Sequence, residues 1–324
     1  MRRFKKCSHL YSYGMFVEKQ KVGKHIKYYL AHSFRDGTEV VKIRRYLGKD
    51  LNKSELEPRR KKAEGAVFEQ IKNFCEIRDP LKFDLSNEEL ENIKKLTHKK
   101  DFKIFHLNET QWTRFSELFS YNTNAIEGST LTLREVTNLL EHNKVPDKSK
   151  EDVNESRGVI EAIKFIRNSK EHISIELIKK LHSIVFRNSK HFAGKLREKG
   201  VEVVIRDGAG NIVHRGAPSE KITALLTELI KWYESNKIKY PSILLATVVH
   251  NQFENIHPFQ DGNGRVGRIL LNNILLKRGM PPVDIEFKNR AEYYQSLQEY
   301  EKNGNIKPTI ELILKEYKKL RQKL

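Results

Sequence analysis

Apolar residues three and four positions apart recur in 109–121, 131–142, 151–168, 174–187, 219–235, 241–256, 264–278, 289–302 and 308–322. That spacing gives a helix one buried face, so almost everything beyond residue 108 is expected to be helical. The first sixty residues follow another rhythm and read as strands. Residues 27–34 and 38–47 are rich in β-branched and aromatic side chains and flank Asp36-Gly37, a strong hairpin signal. From about residue 66 the period turns helical, with Phe68, Ile71, Lys72 and Cys75 on one face, and residues 85–89 carry a capped helix start. One segment interrupts the helical region. Residues 201–206 and 211–214, around Asp207-Gly-Ala-Gly210, predict a short hairpin. The expected class is mainly α, with a small β-containing region in front.

Composition narrows this picture. The 324 residues include 61 Lys or Arg against 42 Asp or Glu, a net charge of +19, with 38% hydrophobic residues. Such a chain can bury a sizeable core and is not of the disordered type. No stretch approaches the roughly 18 apolar residues of a membrane span. The N-terminus has the charge of a signal peptide, but Cys7-Ser8-His9 stands where an apolar stretch should follow, so a cytoplasmic protein without a membrane partner is expected. The two cysteines, Cys7 and Cys75, support neither a disulfide framework nor a thiolate zinc site. Residues 1–100 hold 25 Lys or Arg and 14 Asp or Glu, hence +11 of the excess. This places a basic accessory domain at 1–100 and a second domain at 101–324. Basic residues among Phe4, Tyr11, Tyr13, Tyr28, Tyr29 and Tyr46 suit phosphate contact and base stacking, so nucleic acid is one partner reading for 1–100. A solvated basic surface that meets the second domain or an acidic target is the other.

The candidate chemistry lies in His257-Pro-Phe-Gln-Asp261-Gly-Asn263-Gly-Arg265-Val-Gly-Arg268, a tight turn between two helical stretches. Gly262 and Gly264 let the backbone bend and present its N–H groups, beside the partial positive charge of the following helix N-terminus. Arg265 and Arg268, three apart on the first turn, can face one anion, and guanidinium suits phosphate oxygens. Asp261 could hold Mg²⁺ with substrate phosphates completing its shell. His257 stands where a general base would deprotonate an attacking hydroxyl. Together these residues describe a nucleotide transferase. Residues 262–267 also fit a dinucleotide fingerprint with Asp284 downstream, but no buried strand precedes them. A calcium loop fails because Arg265 and Asn272 stand where acidic ligands belong. His250, Glu254 and His257, at i, i+4 and i+7, could share a helix face as metal ligands, although a hydrogen-bonded structural role for His250 is the simpler reading.

The stretch 257–268 resembles the signature of the Fic family, HxFx(D/E)GNGRxxR, and matches all its specified positions. The resemblance covers roughly residues 105–320 and includes Ala193-Gly194-Lys-Leu-Arg197, Gly279-Met-Pro-Pro and Arg290-Ala-Glu-Tyr-Tyr294. It implies a helical domain whose short β-hairpin, the flap, covers the active site. It also implies transfer of AMP from ATP, with Mg²⁺, to a Tyr, Ser or Thr hydroxyl of a target protein. His257 would then be the base, Asp261 the Mg²⁺ ligand, Gly262, Asn263 and Gly264 the phosphate cradle, Arg265 the neutralising group and Arg268 the γ-phosphate contact. Tyr293 and Tyr294 would approach the nucleotide. Relatives often carry Asn near the adenosine where Glu301 stands, and two prolines where this chain has Ala217-Pro218.

Thr123-Asn-Ala-Ile-Glu127-Gly128 matches the family's inhibitory pattern, (S/T)xxxE(G/N), on a helix expected near 109–128. The resemblance implies that Glu127 pairs with Arg268 and so occupies the place of the γ-phosphate. In some relatives this Glu also orients a water that removes AMP from the modified target, so a bifunctional site is expected. Self-modification and a homodimer are further partner readings, and whether a dimer controls the brake is not written in the sequence.

Overall fold

The computed structural model describes residues 14–36, 39–77, 86–98, 107–206 and 212–323. The chain divides into two compact units, Met1–Ile77 and Arg78–Leu324.

The first unit is an antiparallel sheet in the order β1 (Phe16–Val22), β2 (His25–Asp36) and β3 (Glu39–Lys49), followed by helix α1 (Lys53–Ile77). Strands β2 and β3 are the expected hairpin, whose tip at 37–38 lies outside the described residues. Strand β1 pairs with β2 from Phe16↔Ala31 to Val22↔His25. Its sequence, FVEKQKV, is largely polar and exposed, so no apolar alternation announces it. Helix α1 starts at Lys53, well before the expected change of period at 66. Asn52 caps it by accepting from the Glu55 N–H at 3.0 Å, and the Glu55 carboxylate accepts from the Asn52 N–H at 3.0 Å. The charged run around Pro58 hides the apolar face, and among the described side chains of α1 Ala63 and Val67 are buried while Phe68 is exposed. The side chains of Ile71, Lys72 and Cys75 lie outside the described residues.

The second unit is mainly helical. It runs α2 (Asn87–His98), α3 (Glu109–Ile126), α4 (Leu133–Glu141), α5 (Lys150–Asn168), α6 (Ile175–Phe186), β4 (Val204–Arg206), β5 (Ile212–Arg215), α7 (Ile222–Asn236), α8 (Ser242–Ile256), α9 (Asn263–Lys277), α10 (Arg290–Asn303) and α11 (Lys307–Lys323). Reciprocal side-chain caps start three of these helices: Ser86 with Glu89, Asn108 with Gln111 and Thr132 with Glu135. Helix α8 is buried from Ile243 to Ile256, as a helix apolar on most sides must be, and α9 packs along it with α5 and α6 on the other side. The antiparallel β4–β5 pair is the expected hairpin, with 207–211 outside the described residues. Among the described residues no helix is long and apolar enough to cross a membrane.

The α5–α6 crossing depends on Gly158. A Cβ there would collide with the backbone of Val185, so only glycine lets the helices approach this closely. Gly158→Leu is expected to lower stability by about 1–3 kcal/mol through overpacking, read as a fall in the denaturant midpoint. An unchanged midpoint would mean that the crossing has slack.

Candidate active site

His257 ends α8 with left-handed backbone, φ 52° and ψ 60°, which is uncommon for a residue with a side chain. Surrounding contacts hold it there. Its N–H donates to the Phe253 carbonyl at 2.9 Å, and its own carbonyl accepts from Arg197 Nε at 2.8 Å. The imidazole Nδ1 lies 3.2 Å from the Glu254 carbonyl. A carbonyl can only accept, so Nδ1 carries the proton and Nε2 keeps its lone pair. Burial, aided by His214 and Arg197, pushes the His257 pKa down to about 3, and the ring is neutral.

The loop after His257 is fixed from within. Asn263 spends its side chain on Phe259, accepting from its N–H at 2.8 Å and donating to its carbonyl at 2.9 Å. What Asn263 can offer an anion is therefore its backbone N–H at the head of α9. Gly262 has φ 79°, and a Cβ there would collide with the ring of Phe186. His182 supports the loop from α6. The Gly194 N–H donates to its Nδ1 at 2.8 Å, so Nε2–H donates to the Asp261 carbonyl at 3.1 Å. Burial pushes its pKa down to about 4.

Arg268 is 2% exposed, and four of its five N–H donors are engaged. Nε donates to Thr123 Oγ1 at 2.8 Å, Nη2 to the Thr123 carbonyl at 3.0 Å and to Glu127 Oε1 at 2.7 Å, and Nη1 to the Tyr293 hydroxyl at 3.3 Å. Burial works against its charge, but Tyr293 and Glu127 raise its pKa above the ordinary value. Glu127, the residue that ends α3, also lies directly over Gly264: a Cβ at Gly264 would collide with its carboxylate. A carboxylate thus sits at the N-terminus of α9, bonded to the one guanidinium of the motif that faces the cleft. Helix α3 is anchored where it delivers this group. Asn122 donates to Asp284 Oδ2 at 2.6 Å and accepts from the Phe287 N–H at 2.9 Å, and the Tyr294 hydroxyl donates to the Ile126 carbonyl at 3.1 Å. Gly128, with φ 97°, turns the chain away.

Arg265 takes a different direction from Arg268. Its guanidinium is buried, paired with Glu155, 3.5 Å from Asn124 Oδ1 and 4.6 Å from the centroid of the Phe186 ring. It is not part of the cleft wall, so the two arginines do not face one anion in this arrangement. Asp261 stands at the rim, where Oδ1 accepts from the Gly262 N–H at 2.6 Å and Oδ2 lies 3.1 Å from Lys190 Nζ. Burial raises its pKa, but Arg265 and Lys190 outweigh that and the group stays a carboxylate. One rim carboxylate beside an anion cradle is a donor set that fits Mg²⁺ bound jointly with phosphates. Lys190, which also pairs with Glu151 and with Glu155 at 3.6 Å, carries no signal in the sequence.

The possible ligand face of α8 has other partners. His250 Nε2 bonds to the Tyr293 hydroxyl at 3.0 Å, and Glu254 buries Oε1 against Gly267 with no hydrogen-bond partner among the described residues. Among the described residues no group of three or more His, Cys, Asp or Glu could hold a metal. Burial pushes the Glu254 pKa up from 4.5 to about 8. Between those values the folded protein keeps a proton that the unfolded chain has released, so this group makes stability fall as pH rises. Glu254→Gln should remove that contribution, and its melting temperature should gain on wild type from pH 5 to pH 8. A constant difference would show that Glu254 titrates normally.

These elements enclose a cleft of about 640 Å³, lined by Glu127, Arg268 and Tyr293, by His257 and Asp261, and by Leu297 and Glu301 of α10. The fold and site define a helical domain with an anion cradle at a helix N-terminus and a neutral histidine beside it. Residues 172–275 match the Fic/DOC family, and the chain contains a domain of that family. It is 36% identical over 206 residues to protein adenylyltransferase fic-1 of Caenorhabditis briggsae, and 34% identical over 202 residues to protein adenylyltransferase Fic of Nematostella vectensis. Those matches cover 61% and 60% of the chain but 39% and 45% of the relatives, so the chain spans less than half the length of the curated relatives it matches. The solved structure of residues 134–508 of C. elegans Fic-1 is similar with a TM-score of 0.60 and 27% identity, over 84% of this chain and 77% of that one. A Fic-domain protein of Bacteroides thetaiotaomicron shares the fold with a TM-score of 0.59 at 24% identity, over 71% of this chain and 94% of that one.

Proposed function

We propose that the chain is a protein adenylyltransferase that moves AMP from ATP to a Tyr, Ser or Thr hydroxyl of a target protein, and that Glu127 restrains it. The observation that carries this is the carboxylate of Glu127 on Arg268 at the head of α9, in the same cleft as the neutral His257. The curated relatives are named protein adenylyltransferases. With Glu127 displaced, Arg268 and the N–H groups of residues 262–264 would hold the triphosphate, with Tyr293 and Tyr294 against it, and Asp261 would hold Mg²⁺. That ion, when bound, supplies charge neutralisation for the phosphates. Arg265, through its pair with Glu155, would fix the helix start and add positive potential from behind. His257 Nε2 takes the proton of the target hydroxyl as its oxygen bonds to the α-phosphorus. The bond from the α-phosphorus to the bridging oxygen breaks, and pyrophosphate leaves. In removal of AMP, Glu127 would orient a water and take its proton as the water oxygen bonds to the phosphorus, while the bond from phosphorus to the target oxygen breaks and a His257 protonated at Nε2 gives that proton to the leaving oxygen, freeing AMP and the target hydroxyl.

The test is incubation of the purified chain with ATP labelled at the α-phosphate, wild type beside the His257 and Glu127 variants. Label that appears equally in His257→Ala overturns the mechanism.

A further inference from the structure

The proposed transfer uses none of the basic and aromatic residues of the first unit, and the sheet sorts these by face. Of the six aromatic residues that suit base stacking, Phe4, Tyr11 and Tyr13 lie outside the described residues. Tyr28 turns with Leu30, Ile43 and Leu47 toward α1 and is buried. Tyr29 and Tyr46, paired across β2 and β3, point to the opposite face, and so does Phe16, paired with Ala31. Phe16 is 44% exposed and Tyr46 54%. The open face of an antiparallel sheet ordinarily carries polar side chains, so three rings there serve something other than the core.

Cations frame these rings. Lys27, Lys42 and Arg44 stand on the same face by the two-residue alternation of β2 and β3. Glu18, paired with Tyr29, holds two of them: its carboxylate lies 2.7 Å from Lys42 Nζ and 2.9 Å from Arg44 Nη2. Lys42 Nζ is also 5.5 Å from the centroid of the Phe16 ring. One carboxylate against three cations leaves the face positive, and residues 16–50 as a whole carry nine Lys or Arg and four Asp or Glu. Tyr46 and Phe16 are two strands and two residues apart, about 12 Å, with Arg44 and Glu18 at the other corners of that patch. The Tyr29 ring backs that of Tyr46, 5.4 Å centroid to centroid at 55°.

We infer that this face binds single-stranded nucleic acid, with bases stacked on Tyr46 and Phe16 and phosphates on Lys27, Lys42 and Arg44. Stacking needs a flat partner and the cations need an anion, and a single strand offers both at each nucleotide. An acidic protein would meet the cations but leave the rings without a flat partner, and a duplex keeps its base faces inside its own stack. Neither stacking nor phosphate contact reads the sugar, so RNA and DNA are expected to bind alike.

The experiment follows the fluorescence anisotropy of labelled oligo(U) and oligo(dT), about 20 nucleotides long, as the full chain is added. Both should bind, within about threefold of each other. Affinity should fall with salt at a log–log slope near −2, roughly 0.7 for each of three phosphate contacts. Tyr46→Ala should weaken binding about five- to a hundredfold, while Tyr46→Phe, which keeps the ring, should stay within about twofold of wild type. Arg44→Gln should flatten the salt slope by about 0.7. Failure of both oligonucleotides to bind at low salt overturns the inference. So does a Tyr46→Ala chain that binds as wild type does, a duplex of equal length that binds more tightly than the single strands, or full displacement of oligo(U) by poly-glutamate at equal charge. Labelling from ATP tests the cleft separately, and none of these outcomes bears on it.

Discussion

Glu127→Gly should label itself from ATP roughly ten- to a hundredfold faster than wild type. The range follows from removing a competing charge-assisted hydrogen bond, with the partial exposure of Glu127 favouring its lower end. The carboxylate holds Arg268 at 2.7 Å and lies over Gly264, so it removes a phosphate ligand and places negative charge at the head of α9. Two further measurements identify the cause. Without nucleotide, the variant leaves the buried Arg268 without its anion and should melt below wild type, whereas ATP should raise its melting temperature more than that of wild type. Removal of AMP from a modified target should fall in the same variant, since Glu127 is the proposed water-orienting group. Thr123→Val deletes one bond to Arg268 without clearing the cradle and should give a much smaller gain. If Glu127→Gly labels no faster than wild type, the brake reading is wrong.

His257→Ala should lose about 10²- to 10⁴-fold in transfer rate, the usual worth of a positioned general base. Nucleotide binding should persist, because Arg268 and the N–H groups of 262–264 remain. The loss should therefore lie in kcat rather than in nucleotide affinity. Alanine must also adopt the left-handed backbone at 257, which costs some stability. His257→Asn separates the two effects, since asparagine tolerates that conformation but is not a base at neutral pH. Equal losses in both variants, with ATP binding retained, assign the effect to the imidazole.

Much of the fold was legible because its signals are local. The helices beyond residue 108 and the 201–214 hairpin follow from spacing within a few residues, and the helix start at Ser86 from a cap three residues long. The turn at 257–268 was legible because it holds the base, the rim carboxylate and the cradle in twelve consecutive positions. Other features depend on distance across the fold. The partner of Arg265 is Glu155, 110 positions earlier, and Asp261 meets Lys190 from the end of α6; no period links them. Arg265 and Arg268 share a helix turn, yet their guanidinium groups diverge because each finds a different carboxylate, Glu155 for one and Glu127 for the other. Strand β1 and the start of α1 were obscured by surface charge, since neither buries a clear apolar stripe.

The carboxylate over Gly264 is part of the same molecule, so dilution does not weaken it as it would a free inhibitor. A short flexible tether already holds a group at about millimolar local concentration, and a helix fixed at Asn122 and Ile126 loses less freedom still. On the proposed reading, raising ATP alone would be an inefficient way to start the reaction. On the same reading, release would come from an event that shifts the end of α3, and the contacts of Asn122 and Tyr294 would be the threshold such an event overcomes.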